Sequence, residues 1–346
     1  MISITIFLTA VILVSLIFAL TNGLNDASSV VATFITSGGA APLQAILLAS
    51  FFSLLGALLG GSAVADTISK LMDIPAGPSL LKILLAAILG AVLWNFTTWK
   101  LGLPSSSTHS LVGGIIGAVW ISSGRSHINW GINELLSSSH HLTGIVKIIA
   151  ALIFSPFLGF IIAFIIQKIT KVLFKNAKFT LNKKINRAQW LMSAALAYSH
   201  GANDTQKIVG IITLALFAGG KLTVNAAPFS IKAAAGIIMF CGTMLGGWPI
   251  MKTIGRRIYT IRPIHSINSE TASGISLLMA TVLGAPVSTT HVVVGSVMGV
   301  GAADEYRMVH WNIAKGIISA WVITIPLSAC AASFIYFIIS SVTKFF

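Results

Sequence analysis

The chain alternates long apolar runs with short polar interruptions, at lengths that fit a lipid bilayer better than a soluble core. Residues 43–65, 80–99, 145–166 and 313–339 are apolar runs of at least 18 residues with few charges, the length at which a helix spans the hydrocarbon layer. Residues 2–20 are apolar with no Lys or Arg before them. A secretory leader begins with a positive segment, so this run predicts a retained first membrane helix. A further run at 231–250 is long enough to span.

The polar interruptions are not random. After the first run comes Thr21-Asn22-Gly23-Leu24-Asn25-Asp26-Ala27-Ser28, and Asn-Gly is a turn signal. The apolar stretch that follows, 27–35, is too short to cross a core of ~30 Å at ~1.5 Å per residue. It reads as a half-helix, and 208–218 reads the same way after Tyr198-Ser199-His200-Gly201-Ala202-Asn203-Asp204. Farther along, Pro104-Ser105-Ser106-Ser107-Thr108-His109 interrupts the apolar pattern, and Pro286-Val287-Ser288-Thr289-Thr290-His291 does so again. Asn25 and Asp26 match Asn203 and Asp204 at an offset of 178, and the two Pro-to-His stretches match at an offset of 182. Two motifs repeated in order at nearly one offset indicate an internal duplication. Interrupted segments at matching places in two halves point to a transporter's binding site. The expected layout is a first transmembrane repeat over 1–166, a basic loop over 167–187 and a second repeat over 188–346.

Composition narrows the class. Of 346 residues, 55% are hydrophobic and 9% charged, where soluble domains carry about 25% charged residues. The mean hydropathy is +0.92. The net charge of +14 invites a nucleic-acid reading. However, Lys168, Lys171, Lys175, Lys178, Lys183, Lys184 and Arg187 fall in one acid-free stretch. Such loops mark the cytoplasmic side of a membrane protein, so the central loop is expected there, in a multi-pass cell-membrane protein without a nucleic-acid partner. Cys241 and Cys330 suggest neither a disulfide nor a metal motif.

The residues that repeat also carry a resemblance. Gly201-Ala202-Asn203-Asp204, followed by Gln206, Lys207 and Gly210, resembles the inorganic phosphate transporter family, as does Pro286-Val287-Ser288-Thr289-Thr290-His291. The first half matches more loosely, keeping Gly23, Asn25 and Asp26. The resemblance covers nearly the whole chain. It implies an all-α polytopic membrane protein of two inverted-topology repeats with broken helices or re-entrant hairpins, catalysing Na⁺- or H⁺-coupled symport of phosphate and not an enzymatic reaction. The expected partners are inorganic phosphate, free or as a metal complex, and membrane lipid, with a homodimer left open. No cofactor is expected beyond the coupling ion.

The residue chemistry is compatible with that. A phosphate stripped of water needs several donors. Ser and Thr hydroxyls each donate one hydrogen bond, and a helix start adds backbone N–H groups and a favourable dipole. Pro104 and Pro286 are expected to end the incoming helices. Ser106, Ser107 and Thr108 would then face Ser288, Thr289 and Thr290 around one anion, although the same residues serve as ordinary helix caps elsewhere. Asn25, Asp26, Asn203 and Asp204 offer hard oxygen ligands for Na⁺, at Asp26 and Asp204 above all, or carboxyls for protons. Acidic groups beside phosphate make sense if a cation travels with it. Residues 2–20 already cover about 28 Å as a helix, which would put Asp26 near the far face of the membrane, so either the first residues sit above the membrane or the site opens at one side.

The halves also differ. Lys207 falls where the first half has Ser29, and Glu270 where it has Ile88. The two are expected to pair with each other, or to serve the anion and the coupling cation respectively. His109 and His291, just inside the outgoing segments, are candidates for proton relay, and Gln206 is an accessory candidate. Asp66, Asp304 and Glu305, at segment ends, are expected to be solvated. The competing readings are a sulfate permease of the same fold, a passive anion channel, and a membrane hydrolase. The last lacks any His-x-x-x-His ligand spacing.

Overall fold

In lipid every backbone N–H and C=O must be paired inside the protein, so an apolar chain of this kind becomes helix almost throughout. The computed structural model describes residues 2–103, 105–137, 141–176, 181–223, 226–246, 251 and 253–343. Twelve α-helices occur among them: α1 Ile2–Thr36, α2 Pro42–Leu59, α3 Ala63–Ser69, α4 Pro78–Lys100, α5 Ser107–Ser123, α6 Ile132–Leu136, α7 Gly144–Leu173, α8 Leu181–Ala218, α9 Phe229–Leu245, α10 Pro263–Val282, α11 Thr289–Glu305 and α12 Trp311–Val342. Pro42, Pro78 and Pro263 open α2, α4 and α10, where a missing N–H is harmless. By length and composition α1, α2, α4, α7 and α12 can each cross a membrane. The chain is a multi-pass, all-helical membrane protein.

The halves are interleaved rather than set side by side. α5 packs on α12, and its counterpart α11 packs on α7. α2 packs on α8, and its counterpart α9 packs on α1. Small residues permit each approach, as is usual between membrane helices. A Cβ on Gly113 or Gly117 would strike the backbone of Ile325 or Ala329, and one on Gly295 or Gly299 would strike Pro156 or Phe160. Reciprocal exchange of this kind is what a pseudo-twofold relation between the halves produces. It brings the start of α5 and the start of α11 to the same place in the interior.

Several expectations change. Residues 27–35 are not a separate half-helix: α1 runs unbroken through Asn22, Gly23, Asn25 and Asp26 to Thr36. Gly23 is not a turn residue. It lies against the backbone of Met239 and Thr243 in α9, where a side chain would collide. Likewise 208–218 is the end of the 38-residue α8. The run at 43–65 is divided, because α2 ends at Leu59 and α3 begins at Ala63. The run at 231–250 is helical as α9 to Leu245, and 247–250 lie outside the described residues. The basic stretch is largely helical too: Lys168 and Lys171 are in α7, and Lys183, Lys184 and Arg187 in α8. Lys178 lies outside the described residues.

The helix breaks occur instead at the tips of the α4–α5 and α10–α11 hairpins. Pro104, expected to end the incoming helix, lies outside the described residues. Pro286 sits in the six-residue non-helical link, 283–288, between α10 and α11. Asp304, expected in solvent, is tied up by Lys171 Nζ at 3.1 Å, Tyr259 Oη at 2.9 Å and His265 Nε2 at 3.3 Å.

Candidate anion and cation site

The site forms where the middle of α1, the middle of α8 and the first turns of α5 and α11 meet. Each hairpin tip restarts as a helix with a serine cap. Ser106 Oγ accepts a hydrogen bond from His109 N at 3.1 Å, and Ser288 Oγ accepts one from His291 N at 3.4 Å. Capping satisfies an otherwise orphaned helical N–H. The next hydroxyls are therefore held inside the protein at two helix starts, where a dipole and free N–H groups favour negative charge.

That charge is present as carboxylates. Ser107 Oγ donates to Asp26 Oδ2 at 3.0 Å, and Thr290 Oγ1 donates to Asp26 Oδ1 at 2.7 Å. Asp26 is thus held by the hydroxyl turn of each half at once. Thr289 Oγ1 donates to Asp204 Oδ1 at 3.4 Å, and Asn22 Nδ2 to Asp204 Oδ2 at 3.4 Å. The Lys207 ammonium donates to Asp204 Oδ1 at 2.8 Å, Thr108 Oγ1 at 2.6 Å and the Val287 carbonyl at 2.8 Å. His200 Nδ1 lies 3.0 Å from Thr289 Oγ1 and 3.6 Å from Asp204 Oδ2. All of these side chains are buried. Asp26 therefore lies in the protein interior against both hairpin tips.

The asparagines do different work. Asn203 donates to Thr281 Oγ1 and to the Ala285 carbonyl, and its own Oδ1 accepts from Val287 N at 3.3 Å. It pins the second hairpin tip to α8. Asn25 donates to the Asn95 carbonyl at 3.2 Å, while its buried Oδ1 has no hydrogen-bond partner among the described residues.

With this geometry in view, likeness to known proteins decides the family. The sequence profile of the phosphate transporter family matches residues 22–332. The chain belongs to that family. It is 37% identical over 338 residues to a Bacillus subtilis protein named "Probable low-affinity inorganic phosphate transporter", covering 96% of this chain and 97% of that one. A Rhizobium meliloti protein of the same name is 36% identical over 332 residues, covering 95% and 96%. A solved structure titled "The sodium-dependent phosphate transporter" superposes with a TM-score of 0.84 at 25% identity, covering 96% of this chain and 99% of that one. This family member is a transporter and not an enzyme, its substrate is phosphate, and the resemblance drawn from its two motif pairs is borne out.

The remaining candidates fall elsewhere in this phosphate transporter. Glu270, in α10, accepts from Thr33 at 3.0 Å, Ser193 at 2.8 Å and Ser266 at 2.7 Å. The expected Lys207–Glu270 pair does not form, because each side chain already has other partners. Gln206 turns away to the break between α2 and α3. There it accepts from Val64 N at 2.8 Å and donates to the Gly60 carbonyl at 2.7 Å. His109 and His291 lie against each other with ring centroids 4.6 Å apart, and His291 stacks on Trp321 at 3.6 Å. Both line an apolar cavity of about 640 Å³ among α5, α7, α11 and α12.

Sequence reasoning had missed Asn22 and His200. They stand four residues before Asp26 and Asp204, on the same helix faces, and the offset of 178 relates them as it does the aspartates. That shared offset was the available signal.

Proposed function

We propose that the chain is a symporter that carries inorganic phosphate into the cell together with a cation, Na⁺ or H⁺. The observation that carries this reading is the meeting of Asp26 and Asp204 with both hydroxyl turns. Ser107, Thr108, Thr289 and Thr290 are donors at two converging helix starts, and they take the anion. Ser106 and Ser288 hold the shape of those turns. Asp26 and Asp204, with Asn25 and Asn203 beside them, take the coupling ion.

A phosphate placed here without a cation would confront two buried carboxylates, of which the Lys207 ammonium compensates one. Buried like charges are strongly unfavourable unless compensated. Cation and anion therefore favour each other's binding, and that mutual preference is what couples their movement. The hydroxyls that now donate to Asp26 are the ones phosphate requires, so a cation at Asp26 frees donors for the anion. The structural neighbour's title adds support for Na⁺ as the ion. The charge of the segment around 168–187 supports its placement on the cytoplasmic side.

Uptake of labelled phosphate into proteoliposomes tests the reading. Uptake driven by an imposed Na⁺ or pH gradient is expected, and uptake indifferent to both would overturn it. Excess sulfate is expected to compete poorly, since it stays unprotonated near neutral pH and cannot donate a hydrogen bond to a carboxylate.

A further inference from the structure

The two halves of the site differ in one consistent way. At matched positions the first half has Asn22, Asn25, Asp26 and Ser29, and the second has His200, Asn203, Asp204 and Lys207. Every nitrogen-bearing replacement, an imidazole and an ammonium, falls on the second half. The hydrogen bonds follow suit. Lys207 reaches Asp204 at 2.8 Å, whereas Ser29 turns back to its own helix at the Asp26 carbonyl, 2.7 Å away. No Lys, Arg or His lies within ion-pair distance of Asp26 among the described residues.

Unused acceptors show the complementary pattern. Asn22 Oδ1 and Asn25 Oδ1, both on the first half, are buried without a hydrogen-bond partner among the described residues. The matching amide oxygen on the second half, Asn203 Oδ1, is occupied by Val287 N. At the position that matches Asn22, the atom without a partner among the described residues is a ring nitrogen, His200 Nε2. Buried amide oxygens without donors are costly. Amide oxygens of this kind are a ligand type that a hard cation or a carried proton uses.

We infer that Lys207 is a built-in cation that replaces one coupling ion, so that each transport cycle uses one mobile cation, bound on the Asp26 side. The charges balance on that count: two carboxylates face one tethered ammonium, and one cation completes neutrality before the anion enters. The inference rests on the coupled-symport reading, and its test separates the two. Phosphate accumulation in proteoliposomes is followed against a range of cation gradients at zero membrane potential. For a proton gradient, the pH range is chosen so that phosphate has the same ionisation on both sides. The slope of the logarithmic phosphate ratio on the logarithmic cation ratio counts the cations.

A slope of one is expected for the natural protein and for Lys207→Arg. Lys207→Ser, which restores the first-half residue, is expected to raise the slope to two. A slope of two or more in the natural protein overturns the inference while leaving coupling intact. An unchanged slope in Lys207→Ser, with only a higher KM for phosphate, also overturns it and makes Lys207 an anion ligand. If Lys207→Ser yields no uptake, the slopes of the natural protein and Lys207→Arg decide alone. A slope of zero in the natural protein removes the coupled reading itself.

Discussion

Two buried carboxyl clusters both involve α1 and α8, and they are built differently. The central pair takes hydroxyls from Ser107, Thr289 and Thr290 at the restarting ends of α5 and α11. Glu270 takes its three hydroxyls from Thr33, Ser193 and Ser266, all within continuous helices α1, α8 and α10. A hydroxyl within a helix sits on backbone whose N–H groups are already paired, and it has nothing further to offer an anion. A hydroxyl at a helix start comes with unpaired N–H groups and a favourable dipole. In the reading proposed above, the difference separates a clamp from a site. Glu270 joins three helices, and Asp26 and Asp204 stand where a charged substrate can replace existing bonds.

Substitutions can break this comparison, and their effects are expected to fall in order. Asp204→Asn removes the partner of a fully buried ammonium. Loss of one member of a buried ion pair costs about 3–5 kcal/mol, and coupled uptake should fall by about a hundredfold or more with a clear loss of thermal stability. Asp26→Asn should abolish coupling equally, yet destabilise the protein less, because no Lys or Arg is left unpaired beside it. Equal melting temperatures for the two variants in detergent would contradict the assigned pairing.

Next, Thr290→Val removes one donor to Asp26. Leaving a buried acceptor short costs about 1–3 kcal/mol, so uptake should fall by about tenfold. The matched change at the clamp, Thr33→Val, should leave the rate of uptake nearly unchanged and show only in stability. Glu270→Gln keeps the shape and part of the hydrogen bonding, and should change uptake by less than about threefold, on the scale of about 1 kcal/mol for a typical hydrogen bond. A loss as deep as that of Asp26→Asn would move Glu270 from the clamp to the transport site. The smallest effect is expected from Ser106→Ala, where a lost cap costs about 1 kcal/mol, read as a modest drop in melting temperature with uptake retained.

Much of this was legible beforehand. Helix-length apolar runs fixed the membrane class, and repetition of Asn-Asp and of Pro-to-His picked out the four segments that converge. The local errors have a shared cause. Asn22-Gly23 reads as a turn in water, but within lipid the backbone keeps its helical bonds. The glycine there serves α9, which lies more than two hundred residues away in sequence. The half-helix at 27–35 follows from that turn signal, and the one at 208–218 from the shortness of its apolar run. Lys207 and Glu270 looked like natural partners because each was a lone charge in an apolar setting. Neither spacing nor composition could reveal that hydroxyls and Asp204 had already claimed them.

The sequence alone pointed to a duplicated, all-helical membrane transporter, and it named the residues at its polar centre except Asn22 and His200. Only the tertiary structure decided their pairing. The bond from Thr290 to Asp26 joins residues 264 positions apart, and it exists because interleaved halves bring both hairpin tips to one point. The asymmetry of that centre was written at Ser29 and Lys207, but its meaning depended on reach. A lysine side chain extends to Asp204, Thr108 and Val287 at once, whereas a serine folds back onto its own helix.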